Sequence, residues 1–324
     1  MGADLYYTHG IPDDLGYFYM LQNTIRGLAY HMRTLWLFTF SHIQTIVIPS
    51  TVFGICNALS AHRFDFSSSH PINIPYILIR LPLILIWTWI NLLPFAINNQ
   101  RAAPAIAEDA VNKPWGPLPS GRISPHTART IMLSMYLCAQ IFSALIGGDL
   151  FQGLSLVVLG MWYNRFGSAD YHPLIRNGIY ALGYLCFTSG AMEVALGESL
   201  FLFTNISPLL VQWLGLIAAV IVTTVHSQDL YDQKGDAVRG RRTLPFVIGD
   251  GPSRWILAIA IYEWGLICPR FWNASWTPRV LSIGLASLIG FRTLSYRDIS
   301  SDKSTFLIWN IWVSLLYMLP LMAQ

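Results

Sequence analysis

The sequence predicts an all-α polytopic membrane protein, with nine transmembrane helices around a central cavity. Three observations carry this expectation. Hydrophobic residues make up 54% of the 324 positions and charged residues only 11%, against about 25% charged in an average soluble domain. The apolar residues gather into runs suited to crossing a hydrocarbon layer, which takes about 20 residues of helix. The cations between those runs fall almost entirely on one side of the implied membrane. Backbone groups cannot stay unpaired in lipid, so helices are the spanning element that such runs imply. The same composition excludes intrinsic disorder, coiled coil, collagen and nucleic-acid binding, each of which needs more charge or a different bias.

In chain order, residues 1–34 form an N-terminal segment expected in the cytoplasm, and 35–322 a single membrane domain. The first 23 residues hold Asp4, Asp13 and Asp14 but no Lys or Arg, the wrong charge for a cleaved signal peptide. The apolar runs then fall at 35–59, 74–97, 128–146, 150–162, 178–196, 208–226, 255–268, 276–289 and 305–322. Polar linkers separate them, and two, 98–127 and 227–253, are long and dense in charge. With the N-terminus on one side, that side receives Arg26, Arg33, Arg101, Lys113, Arg122, Arg129, Arg165 and Arg176. It also receives Lys234, Arg239, Arg241, Arg242, Arg254, Arg292, Arg297 and Lys303. The far side holds Arg63, Arg270 and Arg279, and Arg80 lies inside the second run. Cationic loops stay in the cytoplasm, so both charge-dense linkers are expected there. The sequons at Asn205 and Asn273 fall on the far side, consistent with that topology. Cys56, Cys138, Cys186 and Cys268 lie in or beside apolar runs without CxxC spacing, so neither a disulfide framework nor a zinc site is expected.

The second long linker carries Asp229, Asp232 and Asp236, spaced i, i+3, i+7. On a helix extending the sixth span these carboxylates share one stripe. Like charges so arranged need a compensating cation, and a hard ion such as Mg²⁺ prefers carboxylate oxygens while keeping positions for phosphate. The first linker offers Asn98, Asn99, Gln100, Glu108 and Asp109 at the corresponding helix end, able to hold a second ion. Bases follow each cluster: Lys113 and Arg122 in one, Arg239, Arg241 and Arg242 in the other. Acids beside bases suit a magnesium diphosphate, in which the metal bridges phosphate oxygens and guanidinium or ammonium groups neutralise the remainder. An anion transporter would also use basic loops, but it gives no reason for the acidic stripe. The two linkers share an order as well. Glu108-Asp109-Ala110-Val111 leads to Leu118-Pro119, and Gly235-Asp236-Ala237-Val238 leads to Leu244-Pro245, which suggests a duplicated unit.

These two motifs resemble the aspartate-rich motifs of the UbiA superfamily, whose members are intramembrane prenyltransferases and, in fungi, membrane terpene cyclases. The Glu-Asp…Asn-Lys-Pro-Trp and Gly-Arg-Arg-Thr-Leu-Pro wording is similar to the fungal branch. The resemblance implies Mg²⁺ as cofactor, with Asn99, Asp109, Asp229, Asp232 and Asp236 as its ligands. It implies an isoprenyl diphosphate gripped by Arg176, with Lys113 and Arg242 in the same role. It further implies ionisation of farnesyl diphosphate and cyclisation to a sesquiterpene, in an endoplasmic reticulum membrane, or else transfer of the isoprenyl group to an aromatic acceptor. The first motif departs from the common one. Asn99 stands ten residues before Asp109, Ala105 lies near the place of the middle aspartate, and Gly116 replaces an arginine. Pro104 is expected to bend that segment. Glu193, Glu198 and Glu263 read as interfacial or hydrogen-bonded acids of the far side, and His226 as a helix-end hydrogen bonder.

Overall fold

The computed structural model describes residues 13–66, 71–146, 150–200 and 207–323. Asn205 lies outside the described residues. Helix α1 (Asp13–His42) runs through a five-residue π-helical segment (Ile43–Val47) into α2 (Ile48–Leu59). The wide turn lies just before Pro49, which has no N–H to return to the preceding turn. Helix α3 (Ile74–Gln100) is capped by Asn73, whose Oδ1 accepts the Tyr76 N–H at 3.0 Å. A short α4 (Ala103–Asn112) carries the first motif. Pro104 opens this helix at its first turn rather than bending it, a position where its missing N–H costs nothing.

Helices α5 (Pro125–Leu145), α6 (Leu150–Asn164), α7 (Ser168–Tyr171) and α8 (Pro173–Leu196) follow. Helix α9 (Pro208–Thr224) passes through a 3₁₀ turn (Val225–Gln228) into α10 (Asp229–Arg239), which carries the second motif. Gly240, at φ 74°, ends α10 in the left-handed conformation. The chain closes with α11 (Leu244–Ile248), α12 (Asp250–Phe271), α13 (Trp276–Ser295) and α14 (Ile299–Tyr317). No strand occurs among the described residues, only an isolated bridge between Ala274 and Ala323.

Each predicted apolar run lies on helix, but the runs are not equivalent. Among the described residues, five helical stretches are long and apolar enough to cross a bilayer: Tyr17–Leu59, Ile74–Gln100, Pro125–Leu145, Pro173–Leu196 and Pro208–Arg239. Helix α6 has only 15 residues, and α12 is diluted by Asp250, Arg254, Glu263 and Arg270. The bundle core is aromatic, with Trp87, Trp213, Trp309 and Trp312 all at 0% exposure. Helix α8 comes so close to α3 that a Cβ on Gly190 would lie 2.1 Å from the Trp87 ring. Arg254 is buried and joins α12 to α14 through Asp302 at 2.7 Å, while also donating to the Thr293 and Tyr296 carbonyls of and beyond α13.

Candidate active site

The two motif helices pack directly on each other. Gly235 permits this approach, since a Cβ there would stand 2.2 Å from the Asn112 amide nitrogen. Asn112 in turn donates to the Asp232 carbonyl at 3.3 Å. Beside this contact opens a cavity of about 510 Å³.

On α10 the three stripe carboxylates divide. Asp232 lies on the cavity wall. Asp229 is 1% exposed and accepts from Arg176 Nη1 with both oxygens, each at 2.6 Å. Asp236 is equally buried, with Oδ1 3.4 Å from Arg241 Nη1 and Oδ2 without a partner among the described residues. Among the described residues, no three acids, histidines or cysteines gather as one metal site. The stripe is one face of a helix, and arginines from α8 and from the linker reach two of its three members.

In the first motif, Asn98 Oδ1 accepts from Arg101 and Gln100 donates to the Phe38 carbonyl, so both serve the helix end. Glu108 accepts from Arg239 at 3.0 Å and Arg241 at 2.9 Å. Asp170, on α7, takes the same two arginines at 3.1 and 3.0 Å. Asp109 remains on the wall, 3.9 Å from Lys113. Asn99 is also on the wall, and its buried Oδ1 has no hydrogen-bond partner among the described residues. Burial pushes the Asp109 carboxyl above its usual range, and Lys113 only partly offsets this. Burial works against the Lys113 charge, yet Asp109, Asp232 and Glu108 together hold its ammonium above the ordinary value.

Of the cations expected on phosphate, Lys113 and Arg176 line the cavity. Arg242 does not: it is exposed, and Arg241 takes the inward place. The left-handed turn at Gly240 and the Arg241 N–H bond to the Asp236 carbonyl, 2.9 Å, decide which arginine faces in. The Gly-Arg-Arg signal was visible in the sequence, but this choice between neighbours was not. Asp170, a lone acid in a short linker, carried no signal. His226 meets the Ser253 carbonyl at 3.2 Å, as a helix-end residue does. Glu193 is fully buried and accepts the Leu200 N–H just beyond the end of α8.

Behind the polar wall lies a second, apolar hollow of about 60 Å³, lined by Phe95, Leu156, Tyr163, Tyr184 and Phe187 among others. His42, Thr45, Asn99, Tyr180 and Gln228 border both spaces. The Tyr163 and Tyr180 hydroxyls are 2.7 Å apart, and Arg176 donates to each at 3.4 Å. The residues present fit a hard divalent cation. Asn99 Oδ1 is an orphaned acceptor, Asp109 and Asp232 add carboxylate oxygens to the same wall, and magnesium characteristically uses one or two carboxylates and leaves the rest to water and phosphate.

Residues 67–312 match the UbiA prenyltransferase family model. The chain is 29% identical to the fumagillin β-trans-bergamotene synthase of Aspergillus fumigatus, over 90% of this chain and 93% of that one. It is 25% identical to the somaliensene A/B synthase of Streptomyces somaliensis, over 86% and 89% of the two chains. Identity to the diterpene cyclase eriG of Hericium erinaceus is 26%, over 84% and 82%. A UbiA homologue from Archaeoglobus fulgidus, solved with DMAPP and Mg²⁺, superposes with a TM-score of 0.56 at 12% identity, over 86% of this chain and 98% of that chain. The motifs, the helical fold and a family match spanning most of the sequence agree: the chain belongs to the UbiA prenyltransferase family.

Proposed function

We propose that this protein is a membrane-bound terpene cyclase that ionises farnesyl diphosphate in the presence of Mg²⁺ and cyclises it to a sesquiterpene hydrocarbon. The observation that carries this reading is the pairing of two spaces. A wall of carboxylates and cations stands against a hollow lined by aromatic rings, and five residues border both. The first suits a metal-bound diphosphate, and its inner end together with the hollow suits an isoprenoid chain. The names of the similar synthases and of the diterpene cyclase favour ring formation over transfer.

Asn99, Asp109 and Asp232 would hold the metal, which when bound neutralises phosphate oxygens and so favours departure of the diphosphate. Lys113, Arg241 and Arg176 supply positive charge around that group. Arg176 is oriented by Asp229, and Arg241 by Glu108, Asp170 and Asp236, so neither depends on the substrate for its placement. Tyr180 stands between the two spaces with its ring beneath Arg176. The ring faces of Phe95, Tyr163, Tyr184 and Phe187 can stabilise an allylic cation and its cyclised successors. Trp115, from the first linker, packs edge-on against Phe40 with centroids 5.5 Å apart at the cavity wall, where it helps to exclude water. Transfer of a proton from carbon to the released diphosphate then completes a hydrocarbon. All nine runs are taken as spans, with both motif linkers and the N-terminus in the cytoplasm and the endoplasmic reticulum as host membrane. The cation asymmetry supports that orientation.

The test uses microsomes containing the protein, farnesyl diphosphate and Mg²⁺, with volatiles collected above the reaction. A cyclic hydrocarbon that disappears with Asp232→Ala is the expected result. Diphosphate release that begins only when an aromatic acceptor is supplied, with formation of a prenylated adduct, would establish the transferase instead. The family's name favours that second reading.

A further inference from the structure

We propose that Lys303, near the start of α14, captures the outer phosphate of the substrate at the cavity wall. The inference rests on reading the site as one for an isoprenyl diphosphate. Lys113, Arg176, Arg239, Arg241 and Lys303 all line the cavity. The first four are committed to carboxylates: Lys113 to Asp109, Arg176 to Asp229, and Arg239 and Arg241 to Glu108 and Asp170. Their charge is largely balanced before any ligand arrives. Among the described residues, Lys303 has no carboxylate within ion-pair distance. Its ammonium instead lies 5.9 Å from the centre of the Tyr231 ring.

Tyr231 precedes Asp232 on α10 and shares the wall with it. The resting place of Lys303 is thus beside a motif carboxylate that itself has no ion pair among the described residues. A ring face holds an exposed ammonium weakly, whereas a phosphate oxygen offers a charge-assisted hydrogen bond. The backbone beneath Lys303 is fixed even though its side chain is exposed. Asp298 caps α14 by accepting the Ser301 N–H at 2.9 Å, and the adjacent Asp302 is buried against Arg254. An exposed ammonium on a fixed helix end, packed beside α10 at the cavity wall, can move onto an incoming anion without breaking an ion pair. Lys303 is a phosphate-binding residue that neither motif contains.

The experiment measures binding of inorganic pyrophosphate with Mg²⁺ to the detergent-purified full chain, by calorimetry. Wild type is expected to bind saturably. Lys303→Gln and Lys303→Met are expected to weaken binding about tenfold, and Lys303→Arg to keep most of it. With farnesyl diphosphate, Lys303→Gln should raise KM by a similar factor and leave kcat within about twofold, a split that general loosening of α14 would not give. Wild-type affinity in both Lys303→Gln and Lys303→Met would overturn the role of Lys303 while leaving the diphosphate site intact. Absence of pyrophosphate binding to wild type in Mg²⁺ would instead overturn the diphosphate reading, and the inference with it.

Discussion

Helices α4 and α10 carry the same Asp-Ala-Val tripeptide, and the structure uses it in two ways. Asp109 of the first keeps its carboxylate on the cavity wall beside Lys113. Asp236 of the second turns under its helix to Arg241. The preceding residue differs in the opposite sense. Glu108 clamps two arginines of the other linker, whereas the matching Gly235 has no side chain and lets Asn112 approach. Each helix thus presents the cavity one carboxylate not held by an arginine, from non-equivalent positions, while Glu108, also on the wall, and the remaining acids of the stripe pair with arginines. Repeated wording does not imply repeated work, since the neighbours reaching each side chain decide what it can bind.

The sharpest way to break this comparison is to remove the two wall carboxylates separately. Asp232→Ala and Asp109→Ala should each lower turnover by more than about a hundredfold, with unfolding temperature within a degree or two of wild type. Loss in only one of them, measured by diphosphate release, would mean that the two helices do not both serve the metal. Asp229→Ala should behave differently. It strands the Arg176 charge in a buried site, so stability should fall by about 3–5 kcal/mol. Thermal unfolding in detergent checks this, and the double variant Asp229→Ala with Arg176→Met should regain much of the loss. If Asp229→Ala is as stable as wild type, the division between wall and buried carboxylates is wrong.

Gly235→Ala tests the contact between the helices. The added methyl meets Asn112, so a loss of about 1–3 kcal/mol is expected, and Asn112→Ala on the same background should relieve it. The smallest effect belongs to the back of α10, where Gln233 donates to Asp250 at 2.9 Å. Burial tends to raise the Asp250 pKa, but hydrogen bonds from Arg254 and Gln233 hold it below the ordinary value. A depressed carboxylate pKa adds stability above the unfolded-state pKa, and that stability is lost as pH falls through the folded value. The acid side of the stability profile, below about pH 4, should therefore flatten slightly in Asp250→Asn. An unchanged profile would remove Asp250 from the account of how α10 is held.

Much of this arrangement was legible in the sequence. Low charge and long apolar runs made the helical membrane class readable, and the Asp229, Asp232 and Asp236 spacing set them on one face. Periodicity reports a residue's own helix, however, and is blind to what packs on it from elsewhere. Arg176 reaches Asp229 across 53 positions and Arg239 reaches Glu108 across 131, so no local pattern could separate Asp229 from Asp232. The choice of Arg241 over Arg242 depends on one left-handed residue. Lys303 is far from both motifs in sequence and joins the wall only because α14 packs against α10.

The π-helical turn at Ile43–Val47 has a consequence for mutagenesis of the first helix. Such a turn holds one residue more than an α-helical turn, so α1 and α2 are out of phase by about 100°. Trp36, Phe40 and His42 reach the cavity wall from the α1 side of that offset, while Phe53 and Ala58 serve the bundle core from the other. Deleting a single residue within 43–47 would restore a regular helix and swing the α1 side chains away from the cavity, with α2 left in register against α8. The aromatic wall of the site is thus set by a counting mismatch in the backbone as much as by the side chains that form it.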